Sequence, residues 1–97
     1  MNIQAMMAQA RKLQKELEKT TSEIDNTIFK YENDNILIEC FGNNKVKKID
    51  IKNNDILDDK EILEDILTVA FNNVLDQISD TKEKKLGKYT NGLGGLF

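Results

Sequence analysis

An apolar repeat in the second half of the chain most constrains how it can fold. From Asp58 to Lys85, apolar residues recur at the spacing of an amphipathic helix. They cover close to half of the helix circumference: Leu63, Ile66, Leu67, Ala70, Phe71, Val74, Leu75 and Ile78. Ile62 and Val69 add a second apolar edge. A helix that lies on one sheet needs a stripe of only a little over ~100°. We therefore predict that this helix covers a sheet with one side and meets another helix or subunit with the other.

The first segment predicts a second long helix with two different faces. Residues 2–24 are rich in the helix formers Gln, Ala, Lys, Glu and Met. Their apolar positions form a seam of the kind that packs along another helix, namely Ile3, Met6, Ala10, Leu13, Leu17 and Ile24. Four cations lie almost diametrically opposite: Arg11, Lys12, Lys15 and Lys19. This row is either a solvated surface or a contact for a polyanion, and the segment alone favours neither reading.

The middle of the chain predicts an antiparallel three-stranded meander. Three short alternating segments read as strands, at residues 27–32, 36–41 and 45–51. Turns of about three residues separate them, at residues 33–35 and 42–44, as expected for strands joined by hairpins. Ile49 and Ile51 are expected to face inward. Cys40 lies in mid-strand, and we interpret it as a small buried hydrophobe rather than a nucleophile.

Acidic and polar residues mark the start of the long helix, and lysines and glycines mark its end. Asn54 or Asp55 can begin a short turn, and Asp58 or Asp59 can cap the helix. Lysines crowd the other end at Lys82, Lys84, Lys85 and Lys88, where the helix dipole alone favours cations. After Leu86, four of the last eleven residues are glycine. We predict one domain over residues 1–86, followed by a flexible glycine-rich tail over residues 87–97.

The composition argues against catalysis, because the usual reactive groups are missing. The 97 residues include no histidine and one cysteine, so there is no Ser/His/Asp set, Cys/His set or zinc-binding Cys pair. We expect no enzyme activity, no cofactor, no metal and no small-molecule substrate. There is no long apolar run and no signal-peptide pattern, so we expect a cytoplasmic protein that does not interact with membranes.

The charge is segregated although the net charge is −3. Residues 45–52 and 82–88 each carry four lysines against one acidic residue, while acid is concentrated between Glu23 and Glu39 and between Asp55 and Asp65. The strands lack the aromatic and basic pattern of an RNA-recognition sheet, and there is no tryptophan for stacking bases. Among nucleic-acid modes, this leaves duplex binding through lysine and arginine contacts to phosphates.

The order of the predicted parts resembles the YbaB/EbfC family of bacterial nucleoid-associated proteins. The most diagnostic stretch is Leu57 to Ile78, with the acidic pair, the triplet Leu63 to Asp65 and the core Ala70-Phe71-Asn72. The strand KVKKIDI, residues 45–51, is also similar to the family pattern.

This resemblance implies an α+β fold of the order α-β-β-β-α, with long terminal helices, that forms a tweezer-like homodimer. Family members bind double-stranded DNA in the nucleoid, influence nucleoid organisation and gene expression, and have no enzymatic activity or cofactor. Binding in the family is attributed to the projecting helices at both ends of the fold. By position, the resemblance implies these DNA-binding residues: Arg11, Lys12, Lys15, Lys19, Lys82, Lys84, Lys85 and Lys88.

A dimeric protein-interaction module remains the alternative interpretation. In that case the seam from Ile3 to Ile24 and the apolar residues between Leu93 and Phe97 recruit a partner protein, and the lysines only keep the protein soluble.

Overall fold

The chain folds as two long helices around a three-stranded antiparallel sheet, as predicted. A computed structural model describes residues 2–93, with side chains up to Tyr89. The elements run in the order α1 (Ile3–Asp25), β1 (Ile28–Glu32), β2 (Ile36–Phe41), β3 (Val46–Ile51), a short 3-10 helix (Asn54–Asp58) and α2 (Lys60–Leu93). The α-β-β-β-α order and the α+β class are confirmed.

The sheet is a meander of order β1-β2-β3 whose two turns are held by asparagines. In the first turn, the Asn33 side-chain oxygen accepts hydrogen bonds from the amides of Asn35 and Ile36, at 2.8 and 3.1 Å. In the second turn, Asn44 has a φ of 68°, a left-handed conformation that asparagine tolerates better than most residues. Both predicted turns are confirmed, and local asparagine chemistry accounts for them.

One face of the sheet is buried under the first half of α2. Ile36, Ile38 and Cys40 alternate along β2 and are almost fully buried. They pack with three small or branched residues of α2: Ala70, Val74 and Ile78. Burial raises the pKa of the Cys40 thiol, which keeps it protonated. Cys40 is therefore the buried hydrophobe that the sequence predicts.

The helix α2 packs mainly on β1 and β2 and leaves β3 partly uncovered. On the β1 side, the Gln77 side-chain amide donates a hydrogen bond of 2.9 Å to the Lys30 carbonyl oxygen. Ile49 pairs with Ile38 across β2 and β3, so both side chains lie on the α2 side of the sheet. However, Ile49 is 49 % exposed because the helix axis lies too far toward β1 to cover it. Ile49 thus faces the predicted side without being buried.

The start of α2 follows the predicted capping. The 3-10 helix occupies Asn54–Asp58 and Asp59 follows it. The Asp59 carboxylate accepts a hydrogen bond of 3.2 Å from the Ile62 amide, as an N-cap residue does.

The two helices project together from one end of the sheet as an arm. The end of α1 lies against the β2–β3 turn, where the buried Gly42 donates its amide to the Thr27 carbonyl oxygen at 3.0 Å. At the same end α2 passes its last fully buried residue, Ile78, and continues for about 15 residues or ~22 Å. The two helices contact each other, and the molecule is 69 Å long but only 22 by 15 Å across. We call α1 together with α2 beyond Ile78 the arm, and the rest of the molecule the body.

The prediction that α2 ends near Lys85 is wrong, because the helix continues through Gly87 to Leu93. A glycine ends a helix most readily when it adopts the left-handed conformation, and Gly87 has no positive φ. As an ordinary interior position, glycine costs a helix only about 1 kcal/mol. The half-buried Leu86 and Tyr89 show that this turn is packed on one side. Of the predicted tail, residues 94–97 lie outside the described part of the chain.

Candidate nucleic-acid interface

The cations of α1 share one exposed surface of the arm. Arg11, Lys12 and Lys15 line a single shallow depression, together with Ala8 and Glu16. Lys19 is exposed one helical turn beyond Lys15. Side chains three and four positions apart on a helix lie on the same face, which is why the sequence brings these four together. The α1 helix begins at an Asn2 cap, whose side-chain oxygen accepts hydrogen bonds from the amides of Gln4 and Ala5.

The opposite side of α1 carries the predicted apolar seam. Ala10, Leu13 and Leu17 line a second groove with Gln14. Only the last two turns of the seam are covered, and Ile24 is buried there. Towards the start of the helix the seam is open, with Ile3 71 % and Leu13 41 % exposed. The arm therefore has a basic side and an apolar side, and one chain covers only part of the apolar side.

The lysines of α2 do not form a single row. Lys84, Lys85 and Lys88 are exposed, whereas Lys82 is half-buried. At about 100° per residue, the four positions spread over roughly 160° of the helix. The Lys88 ammonium lies 5.0 Å from the centre of the Tyr89 ring, close enough for a cation–π interaction. Three of the four lysines are thus exposed to solvent and point in different directions around the helix, where each can contact an anion.

Acidic residues are concentrated at the end of the body farthest from the arm. They come from the β1–β2 turn, the ends of the strands and the start of α2: Glu32, Asp34, Asp50, Asp55, Asp58, Asp59, Glu61, Glu64 and Asp65. Lys52 and Lys60 are the lysines in this region, and each forms an ion pair, Lys52 with Glu32 at 2.8 Å and Lys60 with Glu64 at 3.8 Å. The negative net charge therefore describes this acidic end rather than the arm.

The Lys52–Glu32 pair is the closest ion pair in the described residues. The hydrogen bond from Lys52 lowers the pKa of the Glu32 carboxyl, and the same bond raises the pKa of Lys52. The pair joins the end of β1 to the segment after β3 and so ties the two edges of the sheet together at the acidic end.

Other kinds of site find little support in the residues that the structure describes. No group of three or more His, Cys, Asp or Glu side chains among them is placed to hold a metal ion. No helix in residues 2–93 is long and apolar enough to cross a membrane. The exposed cations of the arm remain the most distinctive chemical feature of this part of the chain.

A comparison with protein-family models covers nearly the whole chain. The model of the YbaB/EbfC DNA-binding family matches residues 1–93. The chain belongs to this family. The resemblance inferred from Leu57 to Ile78 is thus confirmed.

Bacterial relatives match over nearly their whole length. Nucleoid-associated protein LL0120 of Lactococcus lactis subsp. lactis is 45 % identical, over 96 % of this chain and 97 % of its own. A nucleoid-associated protein of Streptococcus sanguinis is 39 % identical, with the same coverage. One from Ligilactobacillus salivarius is 33 % identical, over 99 % of this chain and 95 % of its own. The similarity therefore includes the arm as well as the body.

Proposed function

We propose that this protein binds double-stranded DNA as a homodimer, through phosphate contacts made by the arm, with limited sequence preference. It acts in the bacterial nucleoid, where it influences nucleoid organisation and gene expression. Family membership supports DNA as the ligand. The proposal of phosphate contacts rests on the arm, which holds two sets of exposed cations away from the acidic end of the body.

The arm cations suit phosphates because none of them forms an ion pair in the described residues. In the described residues, the ion pairs involve Lys47, Lys52 and Lys60, all of which lie in the body. The row from Arg11 to Lys19 is exposed along one side of α1, so several cations can meet one phosphate backbone. Each phosphate that is neutralised releases counterions, and this release drives binding even for a protein of negative net charge.

Limited sequence preference follows from the kind of side chain on the arm. Lysine is a flexible point charge and does not form the planar pair of hydrogen bonds by which arginine reads guanine. Arg11 is the one arginine of the chain, and its Nε donates to the Met7 carbonyl oxygen at 3.4 Å. Contacts of this kind position a protein on the duplex but carry little sequence information.

Dimerisation is supported by apolar surface that a single chain leaves open. Val46 and Ile49 are about half exposed on the α2 side of the sheet, where α2 does not reach β3. Leu75 of α2 is also exposed, on the helix flank opposite the one that meets β1. Exposed apolar side chains such as these three become buried when two chains associate through them. A dimer doubles the number of cations available to one duplex and so strengthens binding.

The protein-interaction module remains a second candidate, favoured by the open apolar seam of α1. Met6 and Leu13 are exposed on the side opposite the cations, so a partner helix can pack there while the lysines stay in solvent. The other apolar residues assigned to this module, between Leu93 and Phe97, lie outside the described side chains.

Fluorescence anisotropy of a labelled duplex at three salt concentrations tests the proposal, with a scrambled duplex for sequence preference. The test variant replaces Lys12, Lys15 and Lys19 by Gln, which removes three charges from the arm. The control variant combines Lys60→Glu with Asn72→Asp, which changes the net charge equally at two exposed positions of the body.

We expect similar wild-type affinity for both duplexes, falling steeply with salt. The slope of log affinity against log salt concentration, called the salt slope below, should be smaller in the arm variant by about one unit for each lysine that contacts phosphate. The body control should keep the wild-type slope. Equal binding by the arm variant and the body control would contradict the proposed role of α1, and duplex affinity unaffected by salt would contradict the phosphate mechanism. A monomer in sedimentation analysis would contradict the homodimer.

A further inference from the structure

The face of the sheet opposite α2 has an ordered charge pattern that the arm does not account for. Leu37, Glu39 and Phe41 alternate with the buried residues of β2 and so lie on this open face. Lys30 of β1 and Lys48 of β3 are the strand partners of Glu39, one on each side. Paired residues of neighbouring strands share a face, so a row Lys30–Glu39–Lys48 crosses the sheet.

Lysines outnumber acid in this row and beside it. The Lys47 ammonium lies 3.6 Å from the Glu39 carboxylate, whose side chain is only 19 % exposed. Lys45 follows the β2–β3 turn, and its carbonyl oxygen accepts the Phe41 amide at 2.8 Å. We name Lys30, Lys45, Lys47 and Lys48 the basal lysines. Among the described residues, Lys47 is the one basal lysine with a carboxylate within 4 Å, so Lys30, Lys45 and Lys48 form no ion pair there.

The basal lysines lie between the middle of the sheet and the end from which the arm projects. The Lys30 carbonyl accepts the Gln77 side chain, just before α2 leaves the sheet. Lys45 is close in sequence to Gly42, against which the end of α1 packs. On the same open face the next row contains Glu32 and Asp50, on either side of Leu37, at the acidic end. On this open face, lysines thus occupy the half of the sheet nearer the arm, and carboxylates occupy the row beyond them.

We propose that the basal lysines form a second contact with the phosphate backbone of the duplex that the arm binds. This inference rests on the proposed function and extends the DNA footprint from the arm to the base of the sheet. The basal lysines outnumber the single acid of their row, which is complementary to phosphate, and they lie on the half of the sheet nearer the arm. Neighbouring strands lie about 4.8 Å apart, so Lys30 and Lys48 present cations about 10 Å apart, on the scale of a DNA groove.

A double variant, Lys30→Gln with Lys48→Gln, tests the contact in the full-length protein. Both residues are exposed, and glutamine keeps most of the side-chain length. The matched control is Lys60→Glu, which changes the net charge equally at the acidic end. Duplex binding is measured by anisotropy across a salt series, and sedimentation checks that the assembly state is unchanged.

We expect the salt slope of the double variant to fall by about two units, one for each lost phosphate contact, while the control keeps the wild-type slope. Glu39→Gln provides a second measurement that does not remove a lysine. It takes away the one acid in the row, so affinity for the duplex should rise.

Two results would overturn this inference. In the first, the Lys30 and Lys48 double variant binds duplex DNA with the affinity and salt dependence of the wild type, while the Lys12, Lys15 and Lys19 variant binds more weakly. That result would remove the second contact but leave the proposed function standing. The other is unchanged duplex binding by Glu39→Gln. A wild-type protein that does not bind duplex DNA at low salt would instead refute the proposed function itself.

Discussion

Apolar residues recur at regular spacing in both the body and the arm, but they are buried in the body and largely exposed in the arm. In the body, Ile38 and Val74 are completely buried, because the sheet and α2 cover each other. In the arm, the α1 seam follows an equally regular repeat, but its first half is exposed on all sides in a single chain. Periodicity therefore predicts that a helix forms and which face is apolar. It does not reveal whether the partner of that face belongs to the same chain.

Truncating one residue in each region measures this difference directly. Ile38→Ala should lower the free energy of unfolding by about 2–5 kcal/mol, because it leaves a cavity in a fully packed core. Leu13→Ala in the arm should cost less than about 1 kcal/mol, because the side chain is already 41 % exposed. Urea denaturation followed by circular dichroism gives both values. A comparable loss for Leu13→Ala would mean that a second chain covers the seam in the native protein.

The junction between body and arm depends on a residue without a side chain. A Cβ added at Gly42 would overlap the backbone carbonyl of Ile24, which cannot rotate away as a side chain would. We expect Gly42→Ala to destabilise the fold by about 1–3 kcal/mol, as overpacking usually does. Denaturant unfolding measures the loss. A stability equal to that of the wild type would show that α1 does not pack as closely on this turn as described.

Gly87 is the natural control for Gly42, because a Cβ added there would meet nothing within 4 Å. Its φ is not positive, so alanine fits the helical backbone without strain. Gly87→Ala should stabilise the arm by about 0.5–1 kcal/mol, the usual difference between these residues inside a helix. Hydrogen exchange of the amides around residue 87 should slow. Unchanged or faster exchange would indicate that the chain is not helical there, as the sequence alone predicts.

The smallest effect concerns the ion pair at the acidic end and depends on pH. The pKa of Glu32 is lower in the folded protein than its ordinary value of 4.5. Its contribution to stability is therefore present above that value and is lost as the pH falls through the lower folded pKa. Glu32→Gln should lower Tm slightly at pH 7, and the difference from the wild type should close as the pH falls below 4.5 and through the lower folded pKa. Glu64→Gln breaks a longer and more exposed ion pair and should show a smaller Tm difference from the wild type. A Tm difference for Glu32→Gln that stays constant as the pH falls would contradict the pairing of Glu32 with Lys52.

Most of the fold could be predicted because local signals agree with tertiary packing. The asparagine turns, the alternation of Ile36 to Phe41 and the Asp59 cap are each decided by a few neighbouring residues. The end of α2 could not be predicted in the same way. Glycine permits either a cap or a helix interior, and the choice at Gly87 depends on what Leu86 and Tyr89 pack against.

The candidate site was only partly predictable for a related reason. The α1 row follows from helix geometry alone, so its four cations are grouped as the sequence predicts. On α2, the spacing of the lysines does not reveal that Lys82 is half-buried. The basal lysines depend on strand register, which places Lys30 and Lys48 beside one carboxylate although they are far apart in sequence. Local charge counts detect residues 45–52 but miss Lys30.

The separation of acid and base along a 69 Å molecule makes each chain an electric dipole. In the field of a duplex, such a molecule experiences a torque as well as a net force, and the torque turns its basic end forward before contact. Once the arm has bound a duplex, the acidic end is the part of the molecule farthest from the arm. A coated duplex would then present carboxylates to its surroundings, and these repel a second duplex rather than attract it. This polarity favours a single protein layer over the cross-linking of neighbouring DNA segments.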